Sequence, residues 1–323
     1  MTKILVTGGC GYVGSILVPK LLESNHKVLV VDNQWFGNNL PNHKNLEVLK
    51  ESISSIGPKH LNGVQKIIHL ANIANDPSVE LNPVLSWEVN VLHMVQLLQN
   101  AKIARIDEFI YASSGSVYGV KAEEKVTEDL ELTPISIYNK TKMAAERVAL
   151  SYASDFKVVC VRPATVCGVS PRMRFDVAVN MFVLQAFEEK KIKVLGGNQT
   201  RPNIHIKDMA ALYEHILRSG NIESGVYNAG FENLTINEIA KMVQEICGGE
   251  IEVLPSNDPR SYRQDSTKLI NTGFSPNYQV KDAIVEIWEA LNSGHIKNEL
   301  NWHTVRAMKH LGLGDISQSG KTK

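Results

Sequence analysis

The sequence predicts an α/β fold: a doubly wound parallel sheet followed by a smaller C-terminal lobe. Three observations carry this. Apolar runs alternate with helical patterns through the first half of the chain, which is the signature of a parallel sheet with helices on both faces. The first run, Lys3-Ile4-Leu5-Val6, breaks into Thr7-Gly8-Gly9-Cys10-Gly11-Tyr12-Val13-Gly14 and then enters the helical pattern Ser15-Ile16-Leu17-Val18. The second run, Lys27-Val28-Leu29-Val30-Val31, ends on an acid, Asp32. A chain of 323 residues has room for one large core or two lobes.

Taken in order, strands are expected near 3–7, 27–32, 46–49, 66–70, 108–113 and 157–162, and helices near 12–24, 83–104 and 136–153. After residue 165 the pattern loosens. A loop is expected at 169–174, a helix at 176–190, and a short strand and turn at 191–197. A helix at 207–219 and a strand at 225–228 are placed to return to the first sheet. Helices at 235–247 and 280–292 belong to a second lobe. A weak helical pattern runs from Trp302 to Leu311, and the polar end 317–323 is expected to be disordered. The expected division is a cofactor-binding domain over 1–166 with a returning segment 204–230, and a substrate-binding lobe built from 167–203 and 231–323.

Composition narrows the function classes. Apolar residues make up 43% and charged residues 21%, the profile of a globular protein in water. The 34 basic residues balance 34 acidic ones, so no nucleic-acid-binding or membrane-binding basic face is implied. No apolar run approaches the ~18 residues of a membrane span. A strand that begins at residue 3 leaves no room for a signal peptide. Cys10, Cys160, Cys167 and Cys247 show no metal-ligand pairing, and three of them fall in or beside core elements. Reduced thiols in the cytoplasm are the expectation, with no metal.

Strand, glycine turn and helix in this order form the mouth of a dinucleotide site of Rossmann type. Gly8 and Gly11 are expected to take backbone angles closed to other residues, and Gly14 lets the helix pack on the strand. The free N–H groups and positive dipole end of the helix then face a diphosphate. Asp32 lies about twenty residues beyond the turn, where this fingerprint expects an acid. Its carboxylate can accept both ribose hydroxyls and would repel a 2′-phosphate, which favours NAD over NADP. His69-Leu70-Ala71 and Ser113-Ser114 also fall at the carboxyl ends of strands, where ligands bind such sheets.

Tyr138 and Lys142 stand four residues apart on an expected helix, hence on one face. A nearby ammonium favours the phenolate, and a phenol so tuned can act as a general base. The strand Ile110-Tyr111-Ala112 ends in hydroxyls, Ser113 and Ser114, one of which can hydrogen-bond a reacting oxygen.

With these residues in this order the chain resembles the extended short-chain dehydrogenase/reductases, from about residue 3 to about residue 292. The resemblance implies that the turn T-G-G-x-G-x-x-G holds NAD and that Ser114, Tyr138 and Lys142 form the catalytic group. Ser114 is preferred to Ser113 because the family's residue sits four before the Tyr of V-Y-G, here Tyr118. The cofactor contacts implied are Gly8, Gly11, Tyr12, Val13, Gly14, Asp32, Asn33, Leu70, Ala71, Tyr138, Lys142 and Pro163.

Further segments resemble the nucleotide-sugar branch, typified by UDP-galactose 4-epimerase. They are Ile68-His69-Leu70-Ala71, Arg162-Pro163-Ala164-Thr165-Val166-Cys167-Gly168, and the run from Gly197 to Asp208. This resemblance implies that Arg201 reaches the nucleotide, that Arg260 and Asn180 meet the substrate diphosphate, and that Val194 lies near the base. Ser114 and Tyr138 would meet the sugar. Guanidinium forks match phosphate oxygens, which suits such a substrate. The run Ser170-Pro171-Arg172-Met173-Arg174-Phe175-Asp176 resembles a subgroup of capsule and surface-polysaccharide enzymes that includes GDP-heptose 4-dehydrogenases.

Departures matter too. Gly115-Ser116 stands where dehydratases of this family carry Asp-Glu and where 3,5-epimerizing members carry Cys, so neither reaction is expected. Glu51-Ser52-Ile53 replaces the usual Gly-Asp-Ile beside adenine. Cys167 replaces a Tyr and is expected to alter the pocket wall. The reaction implied is C4 epimerization of a nucleotide-diphosphate sugar through a 4-keto intermediate. The alternative is a 4-dehydrogenase that stops at the ketone, and a non-catalytic NAD-binding scaffold is the reading from another class. Apolar stripes on 83–104 and 136–153, together with the resemblance, imply a homodimer.

Overall fold

The computed structural model describes residues 2–256 and 261–314. Six strands come first: β1 (Lys3–Thr7), β2 (Lys27–Asp32), β3 (Leu46–Lys50), β4 (Lys66–His69), β5 (Glu108–Ala112) and β6 (Lys157–Pro163). Later follow β7 (Thr165–Cys167), β8 (Lys191–Leu195), β9 (Thr200–His205), β10 (Gly225–Ala229), β11 (Glu232–Thr235) and β12 (Glu250–Leu254).

The main sheet has seven strands in the order β10-β6-β5-β4-β1-β2-β3, with every neighbouring pair parallel. Strands buried on both faces need continuous apolar runs, and Ile4-Leu5-Val6 and Val28-Leu29-Val30-Val31 supply them. The strand order reverses between β1 and β4, so a crevice opens above their carboxyl ends. Thr7 lies opposite His69, and His69 opposite Tyr111. The returning segment 225–229 pairs with β6 as the seventh strand.

Two smaller sheets, β11-β9-β7 and β12-β8, accompany the second group of helices. The helices Ala178–Glu188, Ile236–Cys247 and Val280–Asn292 bury Val183, Ile239, Val243, Ile284 and Ile287 in one cluster. Tyr12, Val13 and Ile16 join that cluster from the glycine turn and first helix.

The expected single helix 83–104 is instead three pieces, Pro83–Trp87, a π turn at Glu88–Leu92 and His93–Ala104, and a separate helix Asp76–Leu81 precedes them. Asn82 leaves helical geometry before Pro83 and caps the first piece by accepting from Leu85 N–H at 3.0 Å. The π turn carries Asn90, which bonds both backbone groups of Ile73 and the hydroxyl of Thr141. Widened turns of this kind re-aim one side chain. The short strands β7, β9, β11 and β12 had no clean period-2 signal. No described helix is long and apolar enough to cross a membrane. The polar end 317–323 lies outside the described residues.

Candidate active site

The crevice between β1 and β4 begins at the glycine turn. Gly8 has φ +71°, and a Cβ there would stand 2.6 Å from the Ala71 nitrogen. A Cβ on Gly14 would stand 2.4 Å from the Gly9 carbonyl oxygen. These two positions therefore require glycine. Gly11 does not take a positive φ, contrary to expectation. Its N–H closes the turn onto the Gly8 carbonyl at 3.1 Å, and the chain then enters the helix Gly14–Glu23 directly. No side chain caps that helix at Val13, so its N-terminal end faces the crevice with its positive dipole.

Asp32 ends β2 at the same mouth. Its carboxylate accepts N–H bonds from Cys10 at 3.0 Å and Gln34 at 2.7 Å. Burial raises its pKa, and these two N–H groups pull against that rise. Asn33 turns its side chain back to Trp35 N–H at 3.2 Å. Leu70 and Ala71 cross over the turn, with their N–H groups on the Thr7 carbonyl (3.0 Å) and hydroxyl (3.4 Å). Pro163 ends β6 with its carbonyl 3.2 Å from where a Gly115 Cβ would be. The uncapped helix end, the glycine cradle and the fixed carboxylate fit an NAD molecule.

The catalytic candidates meet at the neighbouring strand end. Ser136 caps the helix Ile137–Leu150 by accepting from Asn139 N–H, which sets Tyr138 and Lys142 one turn apart. Ser113 donates to the Glu146 carboxylate at 2.6 Å. Ser114 instead stands near enough to the Tyr138 phenol to lower its pKa. Ser114 also pairs with the Ser116 hydroxyl at 2.7 Å, and Ser116 donates to Asn139 Oδ1 at 2.7 Å.

Lys142 stands one turn from Tyr138 as the spacing predicts, but its ammonium is directed to β5. Its Nζ donates to the Ala112 carbonyl at 2.5 Å and lies 4.6 Å from the centre of the Tyr111 ring. Burial lowers its pKa to about 7, against the pull of Glu146 and Cys160. The cation that Tyr138 senses is Arg174. Burial raises the phenol's pKa; the Ser114 hydroxyl and then Arg174 lower it, and Asp76 raises it. Arg174 is itself held by Asp176 through a fork at 3.0 and 3.1 Å. Burial alone would raise Asp176, but Arg174 overrides it and holds the carboxyl at about 2. Asn75 donates to the same carboxylate at 2.7 Å, tying the fork to the helix Asp76–Leu81.

The substrate candidates are less uniform. Asn180 is fully buried, and its amide is committed to the Tyr12 hydroxyl, the Arg174 carbonyl and the Gly168 N–H. Through those groups it joins the glycine turn to the loop that follows β7. Val194 points into the second core, so only its backbone is left to meet a base. Cys167 is fully buried with its thiol near the Ile204 carbonyl at 3.6 Å; it does not form pocket wall. Arg201 stands half-buried on β9, opposite Leu234 of β11. Arg260 lies outside the described residues.

One group escaped the sequence reading. Arg162 forms a buried fork on Glu146 at 2.6 and 3.0 Å and donates to the Tyr118 hydroxyl at 2.6 Å. Tyr118 in turn bonds Asn228, which bonds Gln264. The available signal was the helix itself: Asn139, Thr141, Lys142 and Glu146 are polar residues on its buried side.

Relatives agree with this geometry. The chain is 29% identical over 313 residues to UDP-glucuronic acid decarboxylase 1 of Danio rerio, covering 90% of this chain and 71% of the relative. It is 27% identical over 312 residues to UDP-glucose 4-epimerase of Corynebacterium glutamicum, covering 88% and 94%. The crystal structure of UDP-glucuronic acid 4-epimerase from Bacillus cereus, in complex with UDP-glucuronic acid and NAD, superposes with a TM-score of 0.81 at 28% identity, covering 90% and 99%. Residues 4–230 match the family model described as NAD dependent epimerase/dehydratase. The chain belongs to the NAD dependent epimerase/dehydratase family.

Proposed function

We propose that this enzyme epimerizes a nucleotide-diphosphate sugar at C4 through a transient 4-keto sugar. The observation that carries this reading is the composition of the strand end. The Ser114 hydroxyl is near enough to the Tyr138 phenol to lower its pKa, and positions 115 and 116 supply no ionisable group for a second proton transfer. A hydroxyl proton can be taken and returned there, while those two positions offer no acid or base for loss of water.

Bound NAD supplies the hydride acceptor and, on the way back, the donor. Tyr138 takes the proton of the 4-hydroxyl as the C–H hydride departs. Ser114 donates to the developing oxygen charge. Arg174 favours the phenolate electrostatically. Lys142, one turn along the helix, is the candidate to hold the cofactor ribose. After the ketone turns so that the other face of C4 receives the hydride, Tyr138 returns its proton to the same oxygen. Gly8, Gly11, Tyr12, Val13, Gly14, Asp32, Asn33, Leu70, Ala71 and Pro163 line the cofactor side, and Arg201 and Arg260 serve the substrate diphosphate. Residues 1–166 with 204–230 form the cofactor domain and the remainder the substrate lobe.

The four cysteines are free and buried, which suits a reducing cytoplasm. Leu92 and Ile103 are 60% and 66% exposed at either end of the helix His93–Ala104, and Val84 is 60% exposed nearby. This apolar face supports a homodimer, and a monomeric mass in solution would contradict it.

The test incubates purified protein with UDP-, GDP-, dTDP- and CDP-sugars, with and without added NAD, and reads anomeric protons by NMR. An epimer without net NADH supports the proposal. A 4-keto product with stoichiometric NADH would make the enzyme a 4-dehydrogenase. No reaction with any sugar would remove the enzymatic reading. Tyr138→Phe is expected to lower turnover by about 10²–10⁴-fold.

A further inference from the structure

We infer that Arg172 is a side-chain ligand of the cofactor diphosphate, carried over the glycine turn by the loop that begins at Gly168. This deepens the NAD reading above and rests on it.

The loop is fastened to the turn at one residue. The Tyr12 hydroxyl donates to the Gly168 carbonyl at 2.6 Å and accepts from Asn180 Nδ2 at 3.0 Å. The Ser170 hydroxyl donates to the Tyr12 carbonyl at 2.8 Å. Arg172 follows two residues later, only 2% exposed. Its guanidinium lies 4.2 Å from the centre of the Phe36 ring, four residues beyond Asp32. Its single hydrogen bond among the described residues runs to the Thr304 hydroxyl at 3.3 Å. Its Nε is buried without any partner.

A buried guanidinium with an orphaned donor is expensive unless an anion completes it. The loop's other arginine, Arg174, already has its carboxylate in Asp176. Arg172 has no ion pair within 4.0 Å among the described residues. Burial depresses its pKa first and Arg174 second; Asp176, Tyr12 and Asp32 raise it, which places it among the same groups that line the turn. The uncapped ten-residue helix Gly14–Glu23 begins two residues after Tyr12, whose carbonyl holds Ser170, two residues before Arg172. One anion meets both the helix end and the guanidinium: a diphosphate spanning from Asp32 toward the catalytic strand end. The substrate-side arginine, Arg201, stands on a different sheet.

This arrangement makes the loop 168–174 a strap over the cofactor. Dissociation then requires the strap to lift, so the cofactor is retained between turnovers. Retention suits a reaction that returns its hydride to the same molecule.

The experiment measures binding, not turnover. Adenosine, ADP, ADP-ribose, NAD and UDP are titrated into wild type, Arg172→Gln and Arg172→Lys, by NMR for the weak ligands and calorimetry for the others. Arg172→Gln is expected to weaken ADP, ADP-ribose and NAD by at least about tenfold, the scale of a lost charge-assisted bond, and to leave adenosine and UDP within about twofold. Arg172→Lys keeps the charge and loses the fork, so its ADP affinity should fall between the two. Equal weakening of adenosine and ADP would show a loosened fold and overturn the assignment. So would weakening of UDP alone, or no change for any ligand. Should Arg172→Gln fail to fold, Arg172→Lys decides by the same comparison of ADP with adenosine. A failure of sugar turnover would strike the proposed function and leave these binding constants untouched.

Discussion

Glu146→Gln isolates the charge buried beneath the catalytic helix. The Glu146 carboxylate receives three donors: Arg162 Nη2 at 2.6 Å, Arg162 Nε at 3.0 Å and the Ser113 hydroxyl at 2.6 Å. Both charged side chains are nearly sealed, at 4% and 2% exposure, so solvent does not screen the pair. Glutamine keeps the shape but turns one oxygen into an NH₂ group. In either orientation that group faces a donor, and Arg162 keeps an uncompensated charge. Breaking a buried pair in this way costs about 3–5 kcal/mol. At roughly 2.1 cal/mol/K per residue, a chain of 323 residues has an unfolding entropy of about 0.7 kcal/mol/K, so the melting temperature should fall by about 4–7 °C. Differential scanning calorimetry reads this directly. The double variant Glu146→Leu/Arg162→Met removes both charges and should recover much of the loss. A fall under about 1 °C for the single variant, or a double variant less stable than the single, would refute the argument. Glu146 also supports the Lys142 ammonium, so Glu146→Gln should move the Lys142 titration below its value of about 7.

Other outcomes follow from the same geometry. Gly14→Ala places a methyl group 2.4 Å from the Gly9 oxygen, a backbone atom that cannot step aside; it should cost about 1–3 kcal/mol and reduce the thermal shift produced by NAD. Gly57→Ala meets nothing within 4 Å and should be neutral or stabilising by up to about 1 kcal/mol. Arg174→Gln removes a charge that lowers the Tyr138 pKa, so the phenol's pKa rises and the rising limb of the pH–rate profile moves to higher pH. Pairing it with Asp176→Asn removes the stranded carboxylate, and an unmoved limb in that double variant would show that Arg174 does not tune the phenol.

The parallel sheet and its crevice were legible because strand runs such as Val28-Leu29-Val30-Val31 are buried on both faces and therefore continuous in sequence. The glycine turn was legible because Gly8 and Gly14 answer to backbone distances that no other residue satisfies. The placement of Lys142 was not legible, since helical spacing fixes its face and leaves open which of several acceptors a long side chain reaches. Arg174 was equally hidden: its nearness to Tyr138 depends on the helix Asp76–Leu81 and on Asn75, far away in sequence. The helix start at Pro83 was legible, whereas the π turn at Glu88–Leu92 was not, because the apolar period of 83–104 runs on through it. Cys167 showed the limit of carrying a role by position, because burial commits it to the protein itself.

The return of residues 225–229 to the main sheet has a consequence for synthesis. The whole glycine fingerprint, Asp32 and the catalytic helix leave the ribosome before β6 gains its outer neighbour. Until residue 229 has emerged, β6 is a bare edge of apolar sequence, Val158-Val159-Cys160-Val161, open to pairing with another nascent chain. The strap from Gly168 likewise lacks its Asn180 bond to Tyr12 until the helix Ala178–Glu188 has been made. A fragment that ends near residue 166 therefore carries every recognisable signature of the cofactor site and should aggregate, whereas one that ends after residue 229 has its sheet closed.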